Sequence, residues 1–121
     1  MTVDNASTID GMGFDPDSGG FVLRVYDHLD WEDVAGHLNL IVAKVTGYVT
    51  FWQSGQAEEQ YPEQPADAFA HPLISLSLRV PPTEHALQGL GQIAGQLSGI
   101  GARLGYTTGD GADAQSVVFG G

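Results

Sequence analysis

Phe21, Leu23 and Val25 alternate with Val22, Arg24 and Tyr26, the period of two expected of a strand with one buried face. Ahead of it, residues 9–15 are shorter, interrupted by glycine and partly alternating, and Pro16-Asp17-Ser18-Gly19-Gly20 is a cluster of turn formers. Residues 9–26 therefore read as a hairpin. A different period follows. Trp31, Val34, Leu38, Ile41, Val45, Tyr48 and Trp52 recur at three- and four-residue spacings, and Val42 and Val49 widen the stripe. This predicts an amphipathic helix from 31 to about 54, capped by Asp30, with Glu32 and Asp33 at the positive end of its dipole and Gly55 as its stop. Residues 56–71 are acidic and broken by prolines, and they read as a surface connection.

Alternation returns at Ile74, Leu76, Leu78 and Val80 against Ser75, Ser77 and Arg79, which predicts a strand over 73–80. Pro81-Pro82 ends it, Thr83 offers an N-cap, and Leu87, Leu90, Ala94, Leu97 and Leu104 outline a second helix ending at Gly105. Gly89, Gly91, Gly95, Gly99 and Gly101 oppose that helix by up to about 1 kcal/mol each relative to alanine, so packing has to supply the difference. The tail from Tyr106 reads as a strand plus a loop or a short hairpin about Gly109-Asp110-Gly111. The order is β-β-α-β-α-β. It predicts one α+β domain over 1–121, a two-layer sandwich whose mostly antiparallel sheet of four or five strands carries two helices on one face.

Composition sharpens this mainly by exclusion. Fifteen acids against four Lys plus Arg give a net charge of −11, the wrong sign for gripping nucleic acid or anionic lipid. With no cysteine there is no disulfide framework, thiolate nucleophile or Cys-type metal site. The first ten residues carry acid and no base, and no apolar run approaches the roughly 18 residues of a membrane span, so a cytoplasmic protein is expected.

Val3-Asp4-Asn5, Ile9-Asp10, Gly13, Asp15, Asp27-His28-Leu29-Asp30-Trp31, His37-Leu38, Lys44, Tyr48, Phe51, Ser54-Gly55 and Tyr61-Pro62 together resemble a bacterial family of small acidic cytosolic proteins of unknown function. The most specific piece is the Asp-His-Leu-Asp-Trp signature between a strand and a long helix. The glycine-rich second helix and the tail after Tyr106 fall outside the resemblance. The family has no assigned reaction, so the resemblance implies fold and compartment and no catalytic residues.

The densest chemistry lies where strand passes to helix. Asp33 and His37 share a helix face, and Asp27, His28 and Asp30 lie just before it, the residue types and spacing of an open divalent-metal or small-ligand site. Capping and dipole roles account for the same acids without a metal. An acid–base pair of His28 with Asp27 or Asp30 has no identifiable third member. No Gly-x-Ser-x-Gly elbow is present, Gly11-x-Gly13 and Gly109-x-Gly111 lack the lysine and helix of a phosphate cradle, and Asp110 with Asp113 lacks the ligand ladder of a calcium loop.

Two features point to protein contacts instead. On a helical wheel Leu40, Gly47 and Phe51 fall with Lys44, the only formal charge between Val34 and Ala57, on the side away from the apolar stripe. If exposed, Leu40 and Phe51 form an apolar patch suited to a partner or a second copy. Gly91, Gly95 and Gly99 smooth one flank of the second helix, for close packing on the first helix or for a helix-to-helix homodimer. Eight of the fifteen acids fall in the first 33 residues, a field that aids solubility and would speed encounter with a basic protein. The expected function is a non-enzymatic protein-interaction domain, inhibitor or immunity-like or self-associating, needing no cofactor. The alternative is the metal or ligand site at Asp27, His28, Asp30, Asp33 and His37.

Overall fold

The computed structural model describes residues 10–15, 19–108 and 115–119. The Pro16–Ser18 part of the first turn, the Gly109-Asp110-Gly111 turn, Asp113, and the Val3-Asp4-Asn5 and Ile9 parts of the family pattern lie outside them. Five strands form a single sheet in chain order: β1 (Gly11–Phe14), β2 (Phe21–Asp27), β3 (Leu73–Leu78), β4 (Arg103–Thr108) and β5 (Gln115–Val118). The α+β class is as the hydrophobic pattern predicts. The sheet, however, is mixed, with β2, β3 and β4 mutually parallel and only the outer pairs antiparallel. The reason is connectivity. A helix long enough to cross the sheet returns the chain to the end from which it started, so the strands it joins run in the same direction.

The first crossover holds α1 (Val34–Gln53), α2 (Gln56–Gln60) and a 3₁₀ turn at Ala66–Phe69, and the second is α3 (Glu84–Ser98). α1 begins later than its stripe predicts, because Asp33 rather than Asp30 is its cap, accepting from the Gly36 amide at 3.0 Å. Residues 56–71 are more than a surface connection. Ala57 and Phe69 are buried, and Phe14, Phe21, Tyr61 and Phe69 form a cluster with ring centroids 5.0–6.2 Å apart. α3 ends well before Gly105. Gly101 takes φ +88°, a left-handed conformation that favours glycine, and Leu104 belongs to β4, paired with Ile74. Gly105 lies in β4, paired with Ser75 and Val118, and glycine is required there because an added Cβ would stand 2.7 Å from the Val117 carbonyl oxygen.

Leu23, Ile74 and Leu104 make one inward row of the sheet, fully buried under Ile41 of α1 and Leu90 of α3. The two helices meet where Gly89 admits the Leu38 side chain. On the other face, register sets Gly11, Arg24, Ser75, Gly105 and Val118 in one row.

Candidate functional site

At the strand-to-helix junction, β2 delivers Asp27 into the interior as its last residue. One carboxylate oxygen accepts from the Leu29 amide at 3.0 Å, closing the turn, and the other pairs with Nε2 of His37, one turn into α1. Both side chains are buried, and the imidazole stacks on Trp31 at 3.8 Å and 25°. Trp31 is fixed in turn by its indole N–H, which donates to the Val80 carbonyl at 2.9 Å. Nδ1 of His37 has no partner among the described residues.

The metal reading is not assembled by this geometry. Of Asp27, His28, Asp30, Asp33 and His37, only Asp27 and His37 meet, and each occupies the other. Asp30 accepts from the Glu32 amide at 3.1 Å, Asp33 caps α1, and His28 is exposed. Among the described residues no group of three or more His, Asp or Glu could hold a metal ion. The Asp–His pair is closed off from solvent. It can hold the start of α1 against the end of β2, and little more.

A second buried polar cluster is one the sequence reading missed. Lys44 is fully buried and donates to Asp10 at 2.8 Å, and the other Asp10 oxygen accepts from the Tyr26 amide at 3.0 Å. The Tyr48 hydroxyl donates to the Arg24 carbonyl at 2.6 Å and accepts from the Asp10 amide at 2.8 Å. Burial, followed by the Asp10 charge, pushes the Tyr48 hydroxyl well above the ordinary tyrosine range. His37, Lys44 and Tyr48 therefore all lie on the sheet-facing stripe of α1 with Ile41, Val45 and Phe51. The seven-residue interval from His37 to Lys44 was a signal for this, since it returns to the same helix face.

That rotation of α1 corrects the expected surface patch. Phe51 is buried, and Leu40 and Gly47 are half-buried, because a wheel that treats Lys44 as wet turns the helix the wrong way. The outer side of α1 is the one carrying Val42, Thr46, Val49 and Thr50. With Ile93, Gln96, Leu97 and Ile100 of the α3 side it walls a groove of about 330 Å³, and Val42 and Ile100 stand 43% and 44% exposed. Gly91, Gly95 and Gly99 are exposed too, with open space over Gly91 and Gly95. They do not pack on α1, which is the role of Gly89.

The charge map of this layer is uneven. α1 contains no Asp, Glu, Lys or Arg besides the buried Lys44, and α3 contains none after Glu84. Exposed acids stand at the two ends instead, with Glu32, Asp33 and Glu84 at the helix starts and Glu58, Glu59, Glu63 and Asp67 beyond the end of α1. No helix among the described residues is long and apolar enough to cross a membrane.

Residues 1–110 match a family of unknown function, DUF6572, and the chain belongs to that family. The match takes in the glycine-rich α3 and β4, which therefore lie inside the family pattern. No curated protein and no solved structure matches the chain.

Proposed function

We propose that this protein is a non-enzymatic, cytosolic protein-interaction domain that docks an apolar segment of a basic partner protein on the outer face of α1 and α3. The observation that carries this reading is the uncharged, groove-bearing surface of two solvent-facing helices in a chain of net charge −11. A helix that merely covers a sheet has a wet side rich in charge. Interface centres, by contrast, are depleted of charge and bounded by a polar rim. Val42 and Ile100 supply the exposed apolar centre, and Glu58, Glu59 and Glu84 supply an acidic rim that favours a basic partner and speeds its approach. An inhibitor or immunity-like role is one specific form of this reading. The buried Asp27–His37 and Lys44–Asp10 pairs are spent inside the fold, which leaves them to stability rather than to chemistry.

The test is affinity capture from cells with wild type and Val42→Asp. The reading expects a basic protein whose capture falls with added salt and is lost in the variant. Capture that Val42→Asp leaves unchanged would remove the helix face from the function.

A further inference from the structure

The chain has four cationic Lys and Arg side chains, and Lys44 is buried against Asp10. The other three, Arg24, Arg79 and Arg103, are exposed, and all three belong to the sheet face that no helix covers. Arg24 and Arg103 alternate with the inward residues Leu23 and Leu104. Arg79 follows β3 in phase with Ser75 and Ser77, its amide donating to the Asp27 carbonyl at 2.9 Å. Among the described residues none of the three pairs with a carboxylate, although the chain has fifteen. Among the described residues their guanidinium groups make one hydrogen bond, a marginal 3.5 Å from Arg103 to the His71 carbonyl.

The unmatched acids stand elsewhere. Glu58, Glu59, Glu63 and Asp67 are exposed on the connection between α1 and β3, and among the described residues none pairs with a cation. Asp30 and Asp33, by comparison, are occupied with turn and cap amides. Among the described residues the chain thus displays guanidinium groups without a carboxylate partner and carboxylates without a cation, and the two sets do not meet.

We propose that the open sheet face is a docking surface for a second copy of this chain, with Arg24, Arg79 and Arg103 of one copy receiving Glu58, Glu59, Glu63 and Asp67 of the other. The planar guanidinium fork suits carboxylates, which it can grip through two hydrogen bonds. The side chains beside Arg24 toward β4 are small, since Ser75 and then Gly105 follow it in its row. Tyr26 and Val118, 45% and 49% exposed, add apolar area to that face. A nucleic-acid strand is a poorer occupant, because three cations would hold a polyanion against a net charge of −11. The arginine surface lies on the opposite layer from the helix groove. Both readings draw on Glu58 and Glu59, but Val42→Asp alters the groove alone and Arg24→Glu with Arg103→Glu the sheet face alone, so their failures are distinguishable.

Sedimentation velocity of the full chain over a concentration series, at low and high salt, tests this. Self-association that weakens with salt is expected, because exposed ion pairs are screened. Arg24→Glu with Arg103→Glu is expected to weaken it about tenfold or more, Glu58→Arg with Glu59→Arg to do the same, and an equimolar mixture of the two variants to restore it. All four positions are exposed, and circular dichroism of each variant checks that the fold persists; Arg24→Gln with Arg103→Gln is the milder substitute if it does not. A monomer at every concentration overturns the proposal. So does association that ignores both charge variants and is lost in Val42→Asp, or a labelled oligothymidine that binds wild type and displaces the second copy.

Discussion

The two crossover units differ in how they hold to the same sheet. α3 does it with Ala86, Leu90, Ile93, Ala94 and Leu97, an unbroken apolar stripe over β3 and β4. α1 interleaves Ile41, Val45 and Phe51 with His37, Lys44 and Tyr48, and each of these polar groups is bonded to β2 or to the residue that leads into β1. An apolar stripe secures burial but tolerates small slides, since hydrophobic contact is non-directional. A buried charge pair or hydroxyl accepts one arrangement, because any other leaves a polar group desolvated and unpaired. The amino-terminal half is thus set by direction and the carboxyl-terminal half by volume.

The sharpest break of that contrast is Lys44→Ala, which strands the Asp10 carboxylate inside the fold and is expected to cost about 3–5 kcal/mol, read from urea unfolding. Adding Asp10→Asn to Lys44→Ala should recover part of the loss, the mark of charge coupling in a double-mutant cycle. In the other half, Leu90→Ala should cost about 2–5 kcal/mol through its cavity alone, with no rescue by any polar change.

Tyr48→Phe comes next, at about 1–3 kcal/mol near neutral pH, because the Arg24 carbonyl and the Asp10 amide lose their partner. The variant also changes the alkaline limb. Burial raises the Tyr48 pKa in the folded state, so above about pH 10 the unfolded chain gives up this proton while the folded one keeps it. The folded state then binds more protons, and stability falls as pH rises through that range. Wild type should show this contribution to alkaline unfolding, and Tyr48→Phe should lack it.

The smallest effects separate the glycines of α3. Gly95→Ala meets open space and is expected to raise stability by about 0.5–1 kcal/mol through helix propensity. Gly89→Ala should fall below it, since the new methyl group displaces the Leu38 side chain. Equal melting temperatures for the two variants would deny Gly89 its place in the helix contact.

These contrasts also explain what was readable beforehand. β2 and β3 were plain because alternation records one wet and one dry side, and Thr83 caps α3 as expected, accepting from the Ala86 amide at 3.1 Å. The rotation of α1 was misread because Lys44 counts as polar in any wheel, and only its pairing with Asp10, 34 residues away, makes it a core residue. Asp27 and His37 entered the alternative metal reading for a related reason. Sequence places six His, Asp or Glu residues within eleven positions, while the turn sends Asp27 inward and leaves His28 outside. Leu104 fits both a helix extended from Leu97 and a strand, and the left-handed Gly101 decides between them.

By itself the sequence determined the α+β class, the element types and most of their spans, the absence of cysteine chemistry and the net charge of −11, because periodicity and composition are local sums. Tertiary structure decided the parallel centre of the sheet, the side of α1 that is buried, the partners of Asp10 and Asp27, and the sorting of arginines onto one face and free carboxylates onto another. Each of those depends on which distant groups meet. A charge is buried or exposed according to its partner, and the partner is a property of the fold.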